Sequence, residues 1–151
     1  MIMEQEDKNI LLRDLCGRLP YGVKVSYYDL DEEILKCDTL EGVERSFVTV
    51  DGFQWEITDI KPYLIPLSSM TEEQKKQYYS LADDVTIKPG QGCYLGIKIH
   101  CIKLGISDNP HDEVWDYINL DALYWLNKNH FDYRGLIEKG LAIDARGLNI
   151  Y

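Results

Sequence analysis

The sequence is short of positive charge and of long apolar runs, and each shortage excludes a class of protein. It has 16 Lys and Arg residues against 26 Asp and Glu residues, which gives a net charge of −10. Such a charge repels phosphate backbones, so direct binding of nucleic acid is disfavoured. No stretch approaches the roughly 18–20 apolar residues that a membrane-spanning helix needs. We therefore expect neither a direct nucleic-acid partner nor a membrane partner.

Paired cysteine motifs are lacking too, although the sequence has four cysteines, Cys16, Cys37, Cys93 and Cys101. No two of them form a C-x-x-C pair, so the sequence does not support a structural zinc site. The first ten residues are acidic and lack the apolar core, roughly 7–15 residues long, of a secretory signal. We expect a cytoplasmic protein in which the cysteines are reduced and act as small buried apolar side chains.

Motifs for catalysis and for nucleotide binding are missing as well. There is no G-x-x-x-x-G-K-[ST] loop, no H-E-x-x-H helix and no G-x-S-x-G elbow. The glycines of 90–96 precede a predicted strand, whereas a dinucleotide site needs them between a strand and a helix. Acidic residues at 29–33 lack calcium-loop spacing, and both this set and the pair at 83–84 are interpreted as solvated loops. We therefore assign no catalytic, cofactor-binding or metal-binding residue and expect no cofactor.

The strongest structural signal is the stretch 21–66, in which short β-prone runs are joined by turn signals. Val23 and Val25 alternate with polar residues, the two-residue period of a half-buried strand. Asp51-Gly52 is a strong hairpin signal, because both central residues of a type I′ turn need positive φ. The candidate strands are 21–28, 33–39, 46–50 and 53–58.

Other signals set the limits of these strands. Leu40-Glu41-Gly42 is interpreted as a turn between the second and third strands. Pro62 and Pro66 are interpreted as the end of the run, because proline cannot donate a hydrogen bond to a central ladder. Connections this short favour antiparallel neighbours. The stretch therefore predicts a small antiparallel sheet, whether flat or curled.

Helical patterns flank this sheet. Gly17 and Pro20 are stop signals for a first helix. Ser69 and Glu72 fit a capping box at the start of a second helix, and Asp132 can cap a last one. The predicted elements outside the sheet are helix 4–16, helix 70–82, strand 93–103 and a helical C-terminal third, 112–140, whose last helix is Tyr133 to Lys139. Together these patterns predict a single α+β domain over residues 1–151, with terminal helices packed on the antiparallel sheet.

Three blocks of sequence carry a resemblance to a known family. They read RDLCGRLPYGVK (13–24), KPYLIPLSSMTEE (61–73) and WLNKNHFDYRGLI (125–137), about a quarter of the chain. Together they resemble small uncharacterised proteins of Bacteroides-type gut bacteria and their phages. That family has no known activity, so the resemblance implies a prophage or mobile-element setting and no catalytic residue.

The candidate interaction surface lies in the C-terminal third, around the junction 130–134. His130, Tyr133 and Arg134 carry polar tips on apolar bodies and are common at protein interfaces. Trp115 and Trp125 precede them on predicted helices, and short helices cannot turn every large ring inward.

Three hypotheses of function remain. The leading one is a non-enzymatic protein-binding or adaptor protein. The second is a small hydrolase or transferase that uses scattered residues such as His100, His130 and a cysteine or carboxylate. The third is an acidic mimic of nucleic acid that inhibits a DNA-binding factor. An exposed apolar and aromatic patch would favour the first, and a pocket that joins those titratable groups would favour the second.

Overall fold

The computed structural model describes residues 3–82 and 120–151. These residues divide between two units, Met1–Leu64 with Leu136–Tyr151, here called the sheet unit, and Ile65–Gly135, here called the helical unit. The strand predicted at 93–103 lies outside the described residues, as does the segment 112–119. The prediction of one domain over 1–151 stays a prediction.

The described elements are three helices and a mostly antiparallel sheet, and the first five strands follow one another without an α-helix between them, as in an α+β fold. The helices are α1 (Gln5–Arg18), α2 (Glu72–Ala82) and α3 (Leu120–Lys128). The strands are β1 (Lys24–Asp29), β2 (Ile34–Val43), β3 (Phe47–Val50), β4 (Phe53–Glu56), β5 (Lys61–Pro66), β6 (Phe131–Asp132) and β7 (Ile143–Asp144). The predicted fold class is thereby confirmed.

In the sheet unit the strand order is β4-β3-β2-β1-β5, and each of these neighbours pairs antiparallel. We call β1–β4 the meander. Asp51 and Gly52 have φ of 51° and 75°, as the predicted hairpin turn requires. The short strand β7 pairs with β5 in parallel, with Tyr63 opposite Ile143.

Two predicted limits of the sheet are wrong. Leu40-Glu41-Gly42 is not a turn but part of β2, where the register against β3 shifts between Leu40 and Gly42. A bulge of this kind absorbs the extra residue while the strand continues. Pro62 does not end the sheet either, because it pairs with Val25 inside β5.

Helix α1 runs past its predicted stop at Gly17. The side chain of Arg18 reaches back one turn and bonds Asp14 at 2.8 Å, and both residues are fully buried. The chain leaves the helix through a 3₁₀ turn, Leu19–Tyr21, and Gly22 then adopts a left-handed φ of 68°. A left-handed glycine is the usual residue just after a helix, so Gly22 is the stop signal that Gly17 is not.

The core of the sheet unit joins α1 to one face of the sheet. Its buried members from α1 are Leu11 and Leu15. The other buried members come from the strands and the segments beside them: Val23, Val25, Tyr27, Leu40, Val48, Val50, Ile57, Ile60, Leu64, Leu136, Leu141 and Ala142.

The meander is curled. In a flat sheet three strand spacings separate β1 from β4, about 14 Å. Yet the rings of Tyr27 in β1 and Trp55 in β4 have centroids only 5.0 Å apart. Curling brings these two strands toward each other on the face that α1 covers.

The helical unit has a core of its own, in which aromatic side chains predominate. Its buried residues come from α2, α3, β6 and the segments beside them: Leu67, Met70, Tyr78, Ala122, Leu126, Phe131 and Tyr133. Strand β6 pairs in parallel with the end of β5, with Ile65 opposite Phe131. Helix α2 begins with a capping box, but its members are Thr71 and Gln74, not the predicted Ser69 and Glu72.

The last predicted helix, Tyr133 to Lys139, is absent. Asp132 belongs to β6 instead of capping a helix, and the residues after it form turns. Gly135 and Gly140 have φ of 72° and 74°. A left-handed residue cannot continue a right-handed helix, so Gly135 breaks the pattern that its neighbours suggest.

Candidate binding groove

Large apolar side chains are exposed mainly on the meander. Among the described residues nine large hydrophobic side chains are exposed, and six of them lie between β1 and β4. These six are Tyr28, Leu30, Ile34, Leu35, Phe47 and Phe53. Exposed apolar side chains that cluster in one part of a fold are typical of an interaction surface, whereas single scattered ones are not.

Two adjoining cavities lie between β1 and β4, with volumes of about 330 Å³ and 250 Å³. Leu30 and Trp55 line both cavities, so we treat them as one feature, the aromatic groove. Its lining is Tyr27, Tyr28, Asp29, Leu30, Asp31, Asp51, Phe53, Trp55 and Asp59. Four of these nine residues are aromatic and four are aspartates. None of the described residues that line the groove is basic.

The two-residue period of β4 places Phe53 and Trp55 on the same side of the strand. Trp55 lies opposite Val48 in the ladder, and its indole Nε1 donates a hydrogen bond to the carbonyl of Val50 at 3.3 Å. The ring of Tyr27 packs against it at an interplanar angle of 46°. Phe53 lies at the open end and is 66% exposed. The groove therefore has a rigid inner wall and an accessible outer ring.

The aspartates give the groove a negative rim. Asp29 accepts hydrogen bonds from the backbone N–H groups of Asp31 at 2.9 Å and Glu32 at 3.1 Å. Its carboxylate also lies 2.7 Å from the ammonium of Lys36. The bond from Lys36 is the main cause that holds the pKa of Asp29 below its usual value. Asp29 is therefore ionised at neutral pH and is a poor proton donor.

Asp51 faces the hydroxyl of Tyr27, with 3.5 Å between Tyr27 Oη and Asp51 Oδ2. Burial raises the pKa of Tyr27, and the charge of Asp51 raises it further. The hydroxyl therefore stays protonated well above neutral pH. Rings with fixed faces beside ionised carboxylates are the arrangement that proteins use to hold organic cations.

Two aromatic residues of the predicted interaction surface, Tyr133 and Trp125, pack within the helical unit. Tyr133 is 1% exposed, and its hydroxyl donates to Asn127 Oδ1 at 2.7 Å. Trp125 is half-buried and stacks on Phe131, with ring centroids 5.6 Å apart. Both therefore serve the core of the helical unit. Trp115 lies outside the described residues.

His130 and Arg134, the other two residues of the predicted interaction surface, are next to these rings in the sequence. His130 is half-buried with φ of 62°, and its carbonyl accepts a hydrogen bond from the N–H of Ile65. The guanidinium of Arg134 lies 5.1 Å from the ring centre of Tyr133. An interaction role for these residues stays a prediction.

The cysteines that the structure describes, Cys16 and Cys37, are exposed, so their interpretation as buried side chains is wrong. The sulfur of Cys37 is partly shielded although the residue is exposed, and this shielding raises the pKa of the thiol. Such a thiol is not activated as a nucleophile. Cys93, Cys101 and His100 lie outside the described residues.

Residues 3–82 and 120–151 contain no group of three or more His, Cys, Asp or Glu side chains arranged to hold a metal ion. In these ranges no helix has both the length and the apolar character that crossing a membrane requires.

A second cleft, of about 270 Å³, lies between α1 and the far ends of β3 and β4. Phe47 lines it, together with charged residues of both signs, Lys8, Arg45 and Glu56. Its mixed charge selects no class of ligand. It does provide an internal control, because Phe47 is an exposed ring of the meander outside the aromatic groove.

No family model, curated protein or solved structure matches this chain.

Sequence reasoning missed the aromatic groove, although its parts were visible. Residues 53–58 predict only a strand and residues 29–33 only a solvated loop, so neither stretch by itself points to a site. An aromatic pair at two-residue spacing, together with an acid-rich turn elsewhere in the same sheet, is a signal that could have suggested a site. Only the curl of the sheet brings the two together.

Proposed function

We propose that this protein is a non-enzymatic binding protein that acts through protein contacts made by the meander. The observation that carries the proposal is the aromatic groove, a concave site with exposed rings and a charged rim. Interfaces are enriched in Tyr, Trp and Phe, and their strongest contacts fill pockets at the centre of the patch. A cytoplasmic location and a prophage or mobile-element setting belong to the same proposal, and the three resembling sequence blocks support the setting.

The edge of the sheet adds to this argument. Among the described residues β4 is the last strand in the order, with β3 as its neighbour on one side. The outer side of such a strand presents backbone N–H and C=O groups that an extended peptide can pair with. Phe53 and Trp55 would then lie beside alternate side chains of that peptide.

The composition of the groove favours binding over catalysis. Its described lining consists of Tyr, Asp, Leu, Phe and Trp, without a histidine, a cysteine or a lysine that could act as nucleophile or base at neutral pH. Paired carboxylates alone can hydrolyse glycosides, but one of them must be a general acid with a raised pKa. The pKa of Asp29 is shifted in the opposite direction.

Selection from a random-peptide display library on the full chain tests this function. The selected peptides should bind the wild type and the Phe47→Ala control but lose at least about tenfold in affinity for Phe53→Ala, as expected for an interface hot spot. Both phenylalanines are exposed, at 66% for Phe53 and 42% for Phe47, so both variants should fold.

Two outcomes would contradict the proposal. One is peptide binding that is equal in Phe53→Ala and the wild type, since the meander would then not be the binding surface. The other is turnover of a member of a small-molecule library by the wild type that Phe53→Ala abolishes. That result would replace a binding protein with the hydrolase or transferase alternative.

A further inference from the structure

We infer that the aromatic groove holds a single arginine side chain of the protein partner. This inference rests on the proposed function and names the group that the partner supplies. Three observations carry it: the charge of the groove, the arrangement of its rings and its size.

The charge of the groove selects a cation. Its lining contributes Asp29, Asp31, Asp51 and Asp59, and no lysine or arginine among the described lining residues offsets them. Lys36 bonds Asp29 and Glu32 at 2.7 Å and 3.0 Å, so Asp29 is already engaged. The charges of Asp31, Asp51 and Asp59 remain to attract a cation and to repel an acidic partner.

The rings select a flat cation. Tyr27 and Trp55 form a pair with centroids 5.0 Å apart, and the hydrogen bond from the Trp55 indole fixes the orientation of that ring. Rings held in place in the free protein lose little freedom when a ligand binds. A guanidinium is planar, stacks on aromatic faces and donates two parallel N–H groups to a carboxylate. An ammonium is also attracted to aromatic faces and carboxylates, but it is not planar and cannot make the parallel pair of bonds.

The size of the groove suits one long side chain. Pockets for drug-sized ligands range from about 300 to 1,000 Å³. Each of the two adjoining cavities, at about 250 Å³ and 330 Å³, lies near the lower end of that range. Leu30 is 79% exposed and Phe53 66% exposed, and these apolar side chains can cover the methylene stem of an arginine.

The test uses three capped peptides that differ at one position, Gly-Ser-Gly-X-Gly-Ser-Gly, where X is arginine, lysine or citrulline. Citrulline has nearly the shape of arginine but no charge. Binding to the full chain is followed by nuclear magnetic resonance through the indole N–H of Trp55, which detects weak complexes at their site. We expect the arginine peptide to shift that resonance and saturate it, with affinity at least about tenfold above citrulline and severalfold above lysine.

Two variants with a matched control locate the effect. Asp51→Asn removes one charge but keeps the turn, because asparagine tolerates the positive φ of that position. It should weaken the arginine peptide severalfold, and Phe53→Ala about tenfold, while Phe47→Ala leaves its affinity unchanged. Added salt should weaken binding of the arginine peptide and not of the citrulline peptide.

Equal affinity for the arginine and citrulline peptides would overturn the inference, as would tighter binding of the lysine peptide. So would an equal loss in Phe47→Ala and Phe53→Ala. The display experiment separates this failure from that of the proposed function. Peptides without arginine that still depend on Phe53 would keep the binding function and remove the arginine, whereas the absence of any Phe53-dependent peptide would remove both.

Discussion

The two units use the same kinds of aromatic side chain in opposite ways. In the helical unit the rings of Tyr78, Trp125 and Phe131 pack on one another, with centroid distances of 6.0 Å and 5.6 Å. In the sheet unit Tyr28 and Phe53 are 46% and 66% exposed. An aromatic residue is therefore no indication of an interface by itself, because what decides is whether another element lies over it.

This difference has a simple geometric cause. A strand points successive side chains to opposite faces, and the core of the sheet unit uses the face that α1 covers. The large apolar side chains that remain exposed lie on the other face, or on the part of the first face that α1 does not cover. In the helical unit the rings come from two helices and a strand that pack together, so most of them find a partner.

The largest expected effect tests whether the rings of the two units really differ. Phe131→Ala should lower the free energy of unfolding by about 3–5 kcal/mol, since Phe131 is 1% exposed and its loss leaves a cavity. Phe53→Ala should change it by less than about 0.5 kcal/mol. Denaturant unfolding of both variants measures the two values. Equal losses would mean that Phe53 is structural and that the comparison between the units is wrong.

A smaller effect concerns tyrosine hydroxyls. Tyr133→Phe removes the donor to Asn127, which is 3% exposed, and should cost about 1–3 kcal/mol because a buried amide oxygen is left without this bond. Tyr28→Phe should be neutral within about 0.5 kcal/mol. Thermal unfolding of the pair is the check, and a neutral Tyr133→Phe would count against a structural role for that hydroxyl.

The smallest effect concerns a tyrosine of the sheet unit, Tyr151, which is exposed but whose hydroxyl contributes to stability. Although 48% of the residue is exposed, its hydroxyl donates to the carbonyl of Tyr63 at 2.7 Å and accepts from the N–H of Lys24 at 3.0 Å. Tyr151→Phe should therefore cost about 1 kcal/mol. Burial of the hydroxyl raises the pKa of Tyr151 to about 12.

The pKa of Tyr151 sets a pH window for the same prediction. A raised pKa means that the folded state favours the protonated hydroxyl, so its contribution is complete below the ordinary tyrosine value of 10.0 and is lost as the pH approaches 12. The stability difference between the wild type and Tyr151→Phe should shrink over that range. Urea unfolding at several alkaline pH values measures it, and a constant difference would show that the hydroxyl is solvated in the folded protein.

Local signals in the sequence predicted much of the fold, with failures in both units. The Asp51-Gly52 hairpin was predictable because a type I′ turn depends on two adjacent residues. The end of α1 was not, because the buried pair of Asp14 and Arg18 favours a helix that continues past Gly17. The last predicted helix failed because Gly135 adopts a left-handed conformation, which apolar periodicity does not reveal.

The candidate site could be predicted only in its parts. Phe53 and Trp55 share a face by the period of a strand, and residues 29–33 are visibly acidic, yet their proximity depends on the curl of the meander. The predicted surface around Tyr133 had the right residue types for an interface. Its rings lie in a core because α2 and α3 contribute residues that cover them.

By itself the sequence determined the α+β class, the antiparallel order of Val23 to Ile57 and the negative charge, since each follows from neighbouring residues or from composition. The tertiary structure alone decided which aromatic rings remain exposed and that four aromatic residues, Tyr27 among them although it is buried, line one groove with four aspartates. Exposure and proximity depend on residues far apart in the chain, and only the packing of whole elements brings those residues together.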